Sequence, residues 1–318
     1  MSKRINFKGK KAIVFSGGGV LGVGTAGAME KLNELGYWDQ FNGFAGASVG
    51  SIFAVGMAMR AKPQYITKLV WDTDFRKFFD DTRMDAGVCD IRRFLKRFGW
   101  FKGDELLKFY ETICQDLSGN PKITFLEVNE KFGRDIFITT YCANDQTTKE
   151  FSYKTVPHMP VALGMRCSSS YPYVLAAERI TANDMNKYTE GVTVTTHKHD
   201  LLFADGGILN NFPVDLLLKN GYSLEEILGI HLHAEPQPPS TDVRLPPPKN
   251  IVKYTINMAK TIINQAGKTH ISDKVWKETI SIDTFDIKSM DFNITQAQKT
   301  KLYKSGVDAV TAVDDILT

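Results

Sequence analysis

The 318-residue sequence predicts an α/β fold, one domain built on a largely parallel central sheet. Two observations carry that prediction. Lys11–Phe15 (KAIVF) is a short β-branched apolar run that ends in SGGG, and residues 20–35 then place Ala, Met and Leu at helical spacing. The pattern repeats at once, with an apolar run at Phe41–Ala47 and a helix-forming stretch from Ser48 to about Arg60. Strand, turn, helix, strand, helix is the order that lays parallel strands side by side through crossover helices. With 43% hydrophobic residues the chain can bury a large core.

The remaining elements follow in order. Gly36 is placed to close the first helix. Asp135–Cys142 (DIFITTYC) and Glu150–Lys154 predict a hairpin around the turn-rich ANDQTT. His158–Cys167 predicts a helix, Leu201–Ala204 a short strand and Ile227–His233 (ILGIHLH) another. The proline-rich EPQPPSTDVRLPPPKN predicts an extended surface loop. A helix near 250–270, a strand at Thr279–Asp283 and a helix opened by the capping pattern Thr295-x-x-Gln298 close the chain, and no internal repeat is present.

Charge and cysteines exclude several classes. A net charge of +3 is too small to imply nucleic acid without a concentrated patch. Cys89, Cys114, Cys142 and Cys167 form no CxxC pair, so neither a zinc site nor a disulfide framework is indicated and a reducing compartment is expected. The N-terminal apolar stretch is too short for a signal peptide, and no run approaches the ~18 apolar residues of a membrane span. The expectation is a cytoplasmic protein whose contact with any membrane is peripheral.

Three segments carry chemistry. Gly46–Gly50 (GASVG) fits G-x-S-x-G between a strand and a helix, where small flanks let the backbone turn sharply and expose the Ser48 hydroxyl beside a helix N-terminus. The alternative is an ordinary tight turn with Ser48 as N-cap. Ser16–Gly22 (SGGGVLG) sets Gly17, Gly18 and Gly19 in a row, whose amides can approach an anionic oxygen. Gly17-x-Gly19-x-x-Gly22 also matches a dinucleotide fingerprint, but the second strand ends in Gly46-Ala47-Ser48 rather than in the acidic residue a ribose needs; a purely structural turn is the third reading. Leu201–Pro213 (LLFADGGILNNFP) delivers Asp205 into Gly206 and Gly207, either as a presented carboxylate or as a turn-former, with Asn210 and Asn211 placed to pin the loop.

In order and character these segments resemble the patatin-like phospholipase family, with MRCSSSYPYV (Met165–Val174) similar to its serine-and-proline segment and Asn211-Phe212-Pro213 similar to its Asn-x-Pro stretch. The resemblance covers roughly residues 10–235, the catalytic core of a single domain 1–318, with a cap segment at about 72–118 and a C-terminal extension at about 250–318. It implies a three-layer α/β/α hydrolase of phospholipase A type. Ser48 is then the nucleophile, Asp205 its partner in a dyad without histidine, Gly17–Gly19 the oxyanion hole, and Gly46, Gly50, Gly206 and Gly207 its supports. The implied substrate is a phospholipid or other acyl lipid, with no metal or cofactor in the chemistry; an activator is known for some relatives, and nothing in the sequence identifies one. The family often carries a basic residue where this loop has Leu21.

Two other functions compete. Ser48 and Asp205 followed by His231, His233 or His270 give the order of a Ser-His-Asp esterase for small soluble esters, although that fold needs more strands before its elbow than the two that fit here. A silent lipid- or nucleotide-binding module would keep the glycine loop without needing Ser48. For the lipid surface, Ile91–Phe101 (IRRFLKRFGWF) predicts a helix with Ile91, Phe94, Leu95, Phe98 and Phe101 on one face and Arg92, Arg93, Lys96 and Arg97 around it. That is the pattern of a basic helix lying on an anionic membrane, or of a surface helix packed on the core.

Overall fold

The computed structural model describes residues 4–80, 94–192, 196–233, 254, 258 and 272–313. In chain order the elements are β1 (Ala12–Phe15), α1 (Gly22–Glu34), β2 (Gly43–Gly46), α2 (Gly50–Ala58), α3 (Pro63–Asp72), β3 (Gly99–Phe101), α4 (Asp104–Ser118) and α5 (Phe125–Phe132). They continue with β4 (Asp135–Cys142), β5 (Thr147–Phe151), α6 (Val161–Ser168), β6 (Tyr173–Leu175), β7 (Glu178–Ile180), α7 (Ala182–Tyr188) and β8 (Leu201–Asp205). The last are α8 (Val214–Lys219), β9 (Ile227–His233), α9 (Asp273–Lys277), β10 (Thr279–Asp283) and α10 (Gln296–Thr311). Among the described residues no helix is long and apolar enough to cross a membrane.

The central sheet runs β10-β9-β1-β2-β4-β8-β7, with β5 also on β4. From β10 to β4 every pairing is parallel; the β4–β8, β8–β7 and β4–β5 pairings are antiparallel. Alternate residues of β1 point to opposite faces. Ile13 and Phe15 join one buried cluster, with Phe44, Phe53 and Ile138, while Ala12 and Val14 join a second, with Phe137, Val214 and Leu217. Both faces are therefore covered, giving the three-layer α/β arrangement that a parallel sheet requires.

Register positions the site. Phe15 pairs with Gly46, so the loops after β1 and β2 leave the sheet at one level of the same edge. Gly46 pairs with Ile138, and Thr140, two residues further along β4, pairs with Asp205. Strand β8 enters from beyond that edge and stops at Asp205, which brings it level with Ser48 on the far side of β4.

Three expectations shift. The hairpin closes at Cys142↔Thr147, placing its second strand at Thr147–Phe151 with Gln146 at φ 58°, ahead of the expected Glu150–Lys154. The helix expected from His158 begins at Val161, because a residue before proline disfavours helical backbone and Pro160 serves as the cap. The expected helix over 91–101 is helical at 94–97, where Phe98 at φ 61° ends it. Gly99–Phe101 instead pairs with Tyr173–Leu175 as a small separate sheet, so Phe101 leaves the helical face. Ile91, Arg92, Arg93 and Cys89 lie outside the described residues, as do the proline-rich loop and most of the helix expected near 250–270.

Candidate active site

Ser48 sits between β2 and α2 with φ 49°, a left-handed conformation that costs an L-residue roughly 1–2 kcal/mol. The tight turn explains its small neighbours: a Cβ on Gly46 would lie 2.5 Å from the Gly50 carbonyl, and one on Gly50 would lie 2.6 Å from the Phe15 carbonyl oxygen. Two bonds hold the strained residue. Its N–H donates to Ser168 Oγ at 2.9 Å, and Ser51 Oγ donates to its carbonyl at 2.6 Å. The N-cap of α2 is Val49, with no side-chain cap, so Ser48 is not spent on capping the helix.

Asp205 ends β8 and is 2% exposed. Its carboxylate accepts the Gly207 N–H at 2.7 Å and lines the same cavity as Ser48. Its own N–H donates to the Ser170 carbonyl at 2.9 Å. Burial pushes the carboxyl up to about 7, against the Gly207 hydrogen bond and the influence of Ser48, which favour the anion. Gly206 passes close to β4, where a Cβ would meet the Thr139 carbonyl at 2.3 Å, and Gly207 faces Asn211 Oδ1, which a Cβ would meet at 2.7 Å. Asn210 Nδ2 donates to Asp215 at 2.7 Å and Asn211 Nδ2 to the Gly17 carbonyl at 3.3 Å, so both amides pin the loop.

The glycine loop divides its amides. Gly17 gives its N–H to the Asn211 carbonyl at 3.0 Å. The amides of Gly18 and Gly19 have no acceptor among the described residues, and both glycines line the same cavity as Ser48. Gly19 is held at φ 54° against Ser289, whose carbonyl oxygen lies 2.2 Å from where a Cβ would stand. The amide of Val49, the residue after Ser48, is equally without an acceptor among the described residues and lines the cavity. Sequence reading by side chain passed over Val49; the G-x-S-x-G position itself is the signal, because the residue following such a serine presents its N–H.

Ser48, Asp205, Gly18, Gly19 and Asn211 line one cavity. Most of its remaining lining is apolar or aromatic: Phe75 and Phe78 after α3, Leu106 and Tyr110 on α4, Val174 and Leu175 on β6, and Met290, with Ser169 and Ser289 beside them. The segment after α6 ties this wall to the catalytic edge. Arg166 is fully buried and donates to the carbonyls of Lys102, Gly103 and Ala176, each at 3.0 Å, and to Ser170 Oγ at 2.5 Å, with Glu178 at 3.2 Å. Ser169 Oγ and the Tyr110 hydroxyl share a hydrogen bond of 2.7 Å. Each residue from Arg166 to Ser170 except Cys167 thus makes a specific polar contact, a role that the sequence showed only as a serine-rich pattern.

His231 and His233 lie elsewhere. His231 is buried between the rings of Phe212 and Trp276, each 5.1 Å away, and burial lowers it to about 4. His233 is 6.5 Å from both the His231 and Trp276 rings, and neither histidine lines the cavity. His270 lies outside the described residues. Lys96 and Arg97 are exposed and do not line the cavity.

A family model described as "Patatin-like phospholipase" matches residues 13–218, which contain the glycine loop, the elbow and Asp205. A relative along nearly the whole length is an uncharacterized protein, R571, of Acanthamoeba polyphaga mimivirus, 27% identical over 97% of this chain and 95% of its own. A probable lipid hydrolase, 463L, of Invertebrate iridescent virus 6 is 24% identical over 66% of this chain and 63% of its own. Among solved structures, VipD from Legionella pneumophila superposes with a TM-score of 0.59 at 16% identity, over 95% of this chain and 66% of that one. On the family match, which takes in well over half of its length, the chain belongs to the patatin-like phospholipase family.

Proposed function

We propose that the chain is a phospholipase A type lipid acyl hydrolase that cleaves fatty-acyl esters of membrane phospholipids through a Ser48–Asp205 dyad. The observation that carries the reading is that Ser48 and a buried Asp205 line the same cavity beside the amides of Gly18, Gly19 and Val49. Family membership and the name of the iridescent virus relative support lipid hydrolysis in general.

In this reading the Ser48 oxygen attacks the ester carbonyl carbon while Asp205 takes the hydroxyl proton. The oxyanion forms against the amides of Gly18, Gly19 and Val49, each such donor worth about 10²–10³ in rate. Collapse expels the alcohol, which takes its proton from Asp205 and leaves Ser48 acylated. Asp205 next removes a proton from water attacking the acyl group; collapse releases the fatty acid and Ser48 recovers its proton. A carboxyl raised to about 7 is a better base for this task than an ordinary aspartate near ~3.9, and the same burial raises it. The reaction as written uses no metal.

The test is fatty acid and lysolipid release from mixed phospholipid vesicles, read by mass spectrometry, for the native chain and Ser48→Ala. Release by the native chain alone supports the proposal. Release by both proteins, or by neither on vesicles and on a short soluble ester alike, overturns it.

A further inference from the structure

Phe98 and Tyr173 share two properties that large aromatic residues seldom combine. Both are held in the left-handed region, at φ 61° and 65°, where a bulky side chain is strained and glycine or asparagine is at ease. Both are also exposed, at 46% and 39%, and Leu95 beside them is 68% exposed. Strain at a buried position can be offset by packing; here a large part of each residue stays exposed to solvent. Two strained, exposed aromatics point to a use outside the fold.

The three residues converge. Gly99, next to Phe98, pairs with Tyr173 in the small β3–β6 sheet, and the Phe94 ring, next to Leu95, lies 6.3 Å from the Tyr173 ring while stacking on Trp100 at 4.4 Å. Exposed Lys96 and Arg97 stand between Leu95 and Phe98. The patch adjoins the site, because Val174 and Leu175, which follow Tyr173, line the cavity that holds Ser48.

We propose that Leu95, Phe98 and Tyr173, flanked by Lys96 and Arg97, form a knuckle that enters the headgroup region of an anionic membrane and seats the cavity mouth on the lipid. Aromatic and aliphatic tips suit the boundary between headgroups and acyl chains, and adjacent cations complement anionic headgroups. The choice of a membrane as the partner rests on the lipid-hydrolase reading; the patch itself does not. Its place beside the wall of a largely apolar cavity favours the surface from which that cavity would be filled.

The experiment uses full-length Ser48→Ala protein, so that binding is read without turnover. Sedimentation with phosphatidylcholine vesicles, with and without phosphatidylserine, compares it with the same protein carrying Leu95→Ser, Phe98→Asn and Tyr173→Asn. Expected are salt-sensitive binding that favours the anionic vesicles and a loss of about tenfold or more in the substituted protein. The melting temperature should be equal or higher, since asparagine tolerates the left-handed backbone; Leu95→Ser alone is the control should the triple variant melt early. Unchanged binding in the substituted proteins, no binding by Ser48→Ala protein, or equal binding to neutral and anionic vesicles overturns the proposal. Hydrolysis of a short soluble ester by the triple variant with Ser48 intact separates the two readings. Retained cleavage with lost vesicle binding supports both, whereas absence of Ser48-dependent cleavage in the native chain defeats the hydrolase reading and leaves the binding result standing on its own.

Discussion

The backbone N–H of Ser48 donates to the hydroxyl of Ser168, 2.9 Å away at the end of α6. Ser168 is fully buried, and it gives the one left-handed residue of the elbow a fixed partner 120 residues distant. Ser168→Ala should leave that N–H unpaired at a cost of about 1–3 kcal/mol. The elbow would then relax, lowering kcat on a soluble ester more than it raises KM. Thermal melting and steady-state kinetics check this together, and an unchanged kcat would mean that the elbow holds itself.

Ser48→Ala and Ser48→Gly should both lose ester hydrolysis by about 10⁴-fold or more if Ser48 is the nucleophile. They should differ in stability. At φ 49° the glycine variant sheds the left-handed penalty that the alanine variant keeps, and should be more stable by about 1–2 kcal/mol. Chemical denaturation of the two inactive proteins reads that difference without interference from turnover.

Asp205 links pH to activity and to stability with opposite signs. As a base it must be ionised, so kcat/KM should rise as pH passes through about 7. Its folded value stands above the ordinary 3.8, so the folded protein holds a proton that the unfolded chain has released. The associated stability is complete below about 4 and is lost as pH rises through about 7, an effect on the order of 4 kcal/mol. Asp205→Asn should therefore be inactive at every pH yet gain stability over the native chain at pH 8, an advantage that fades at pH 4. Melting curves at the two pH values decide it; an Asn variant that is less stable at pH 8 would show that the buried charge is better solvated than its surroundings suggest.

Arg166→Lys should destabilise the protein by about 3–5 kcal/mol, because an ammonium cannot serve three carbonyls, Ser170 and Glu178 at once. Urea unfolding measures the loss. A value near zero would mean that water replaces the guanidinium in its buried place.

His231→Phe should keep the native kcat, because the ring lies between Phe212 and Trp276 and outside the cavity. Its pH signature is also distinct. Being lowered to about 4, His231 supports the fold above about 6.5 and withdraws that support as pH falls through about 4. Loss of ester hydrolysis in a folded His231→Phe protein would reinstate a histidine in the mechanism.

Much of this architecture was legible because it is written in local spacing. The strand at Ala12–Phe15, the small residues around Ser48 and the carboxylate before Gly206 each declare themselves within a few residues. The capping box expected at Thr295 and Gln298 is formed for the same reason. What escaped depends on partners far away in sequence. Nothing in the helical spacing of 158–167 announces that the carbonyls of Lys102 and Gly103 close on Arg166. The Gly17 amide reads as an oxyanion donor until Asn211, 194 positions later, takes it through the adjacent carbonyl. The helix at 94–97 stops short because Gly99 packs backbone to backbone against Leu175, a contact that no periodicity within 91–101 could announce.

The segment from Ser168 to Ser170 touches both halves of the proposed dyad, through the Ser168 hydroxyl to the Ser48 amide and the Ser170 carbonyl to the Asp205 amide. The proposed nucleophile and base are thus referenced to one short mount three residues long. A displacement of that mount carries both groups the same way and leaves their separation nearly constant, as a shared datum cancels common-mode error. If the proposed dyad holds, movement of the cavity walls can then proceed without detuning the separation of Ser48 and Asp205.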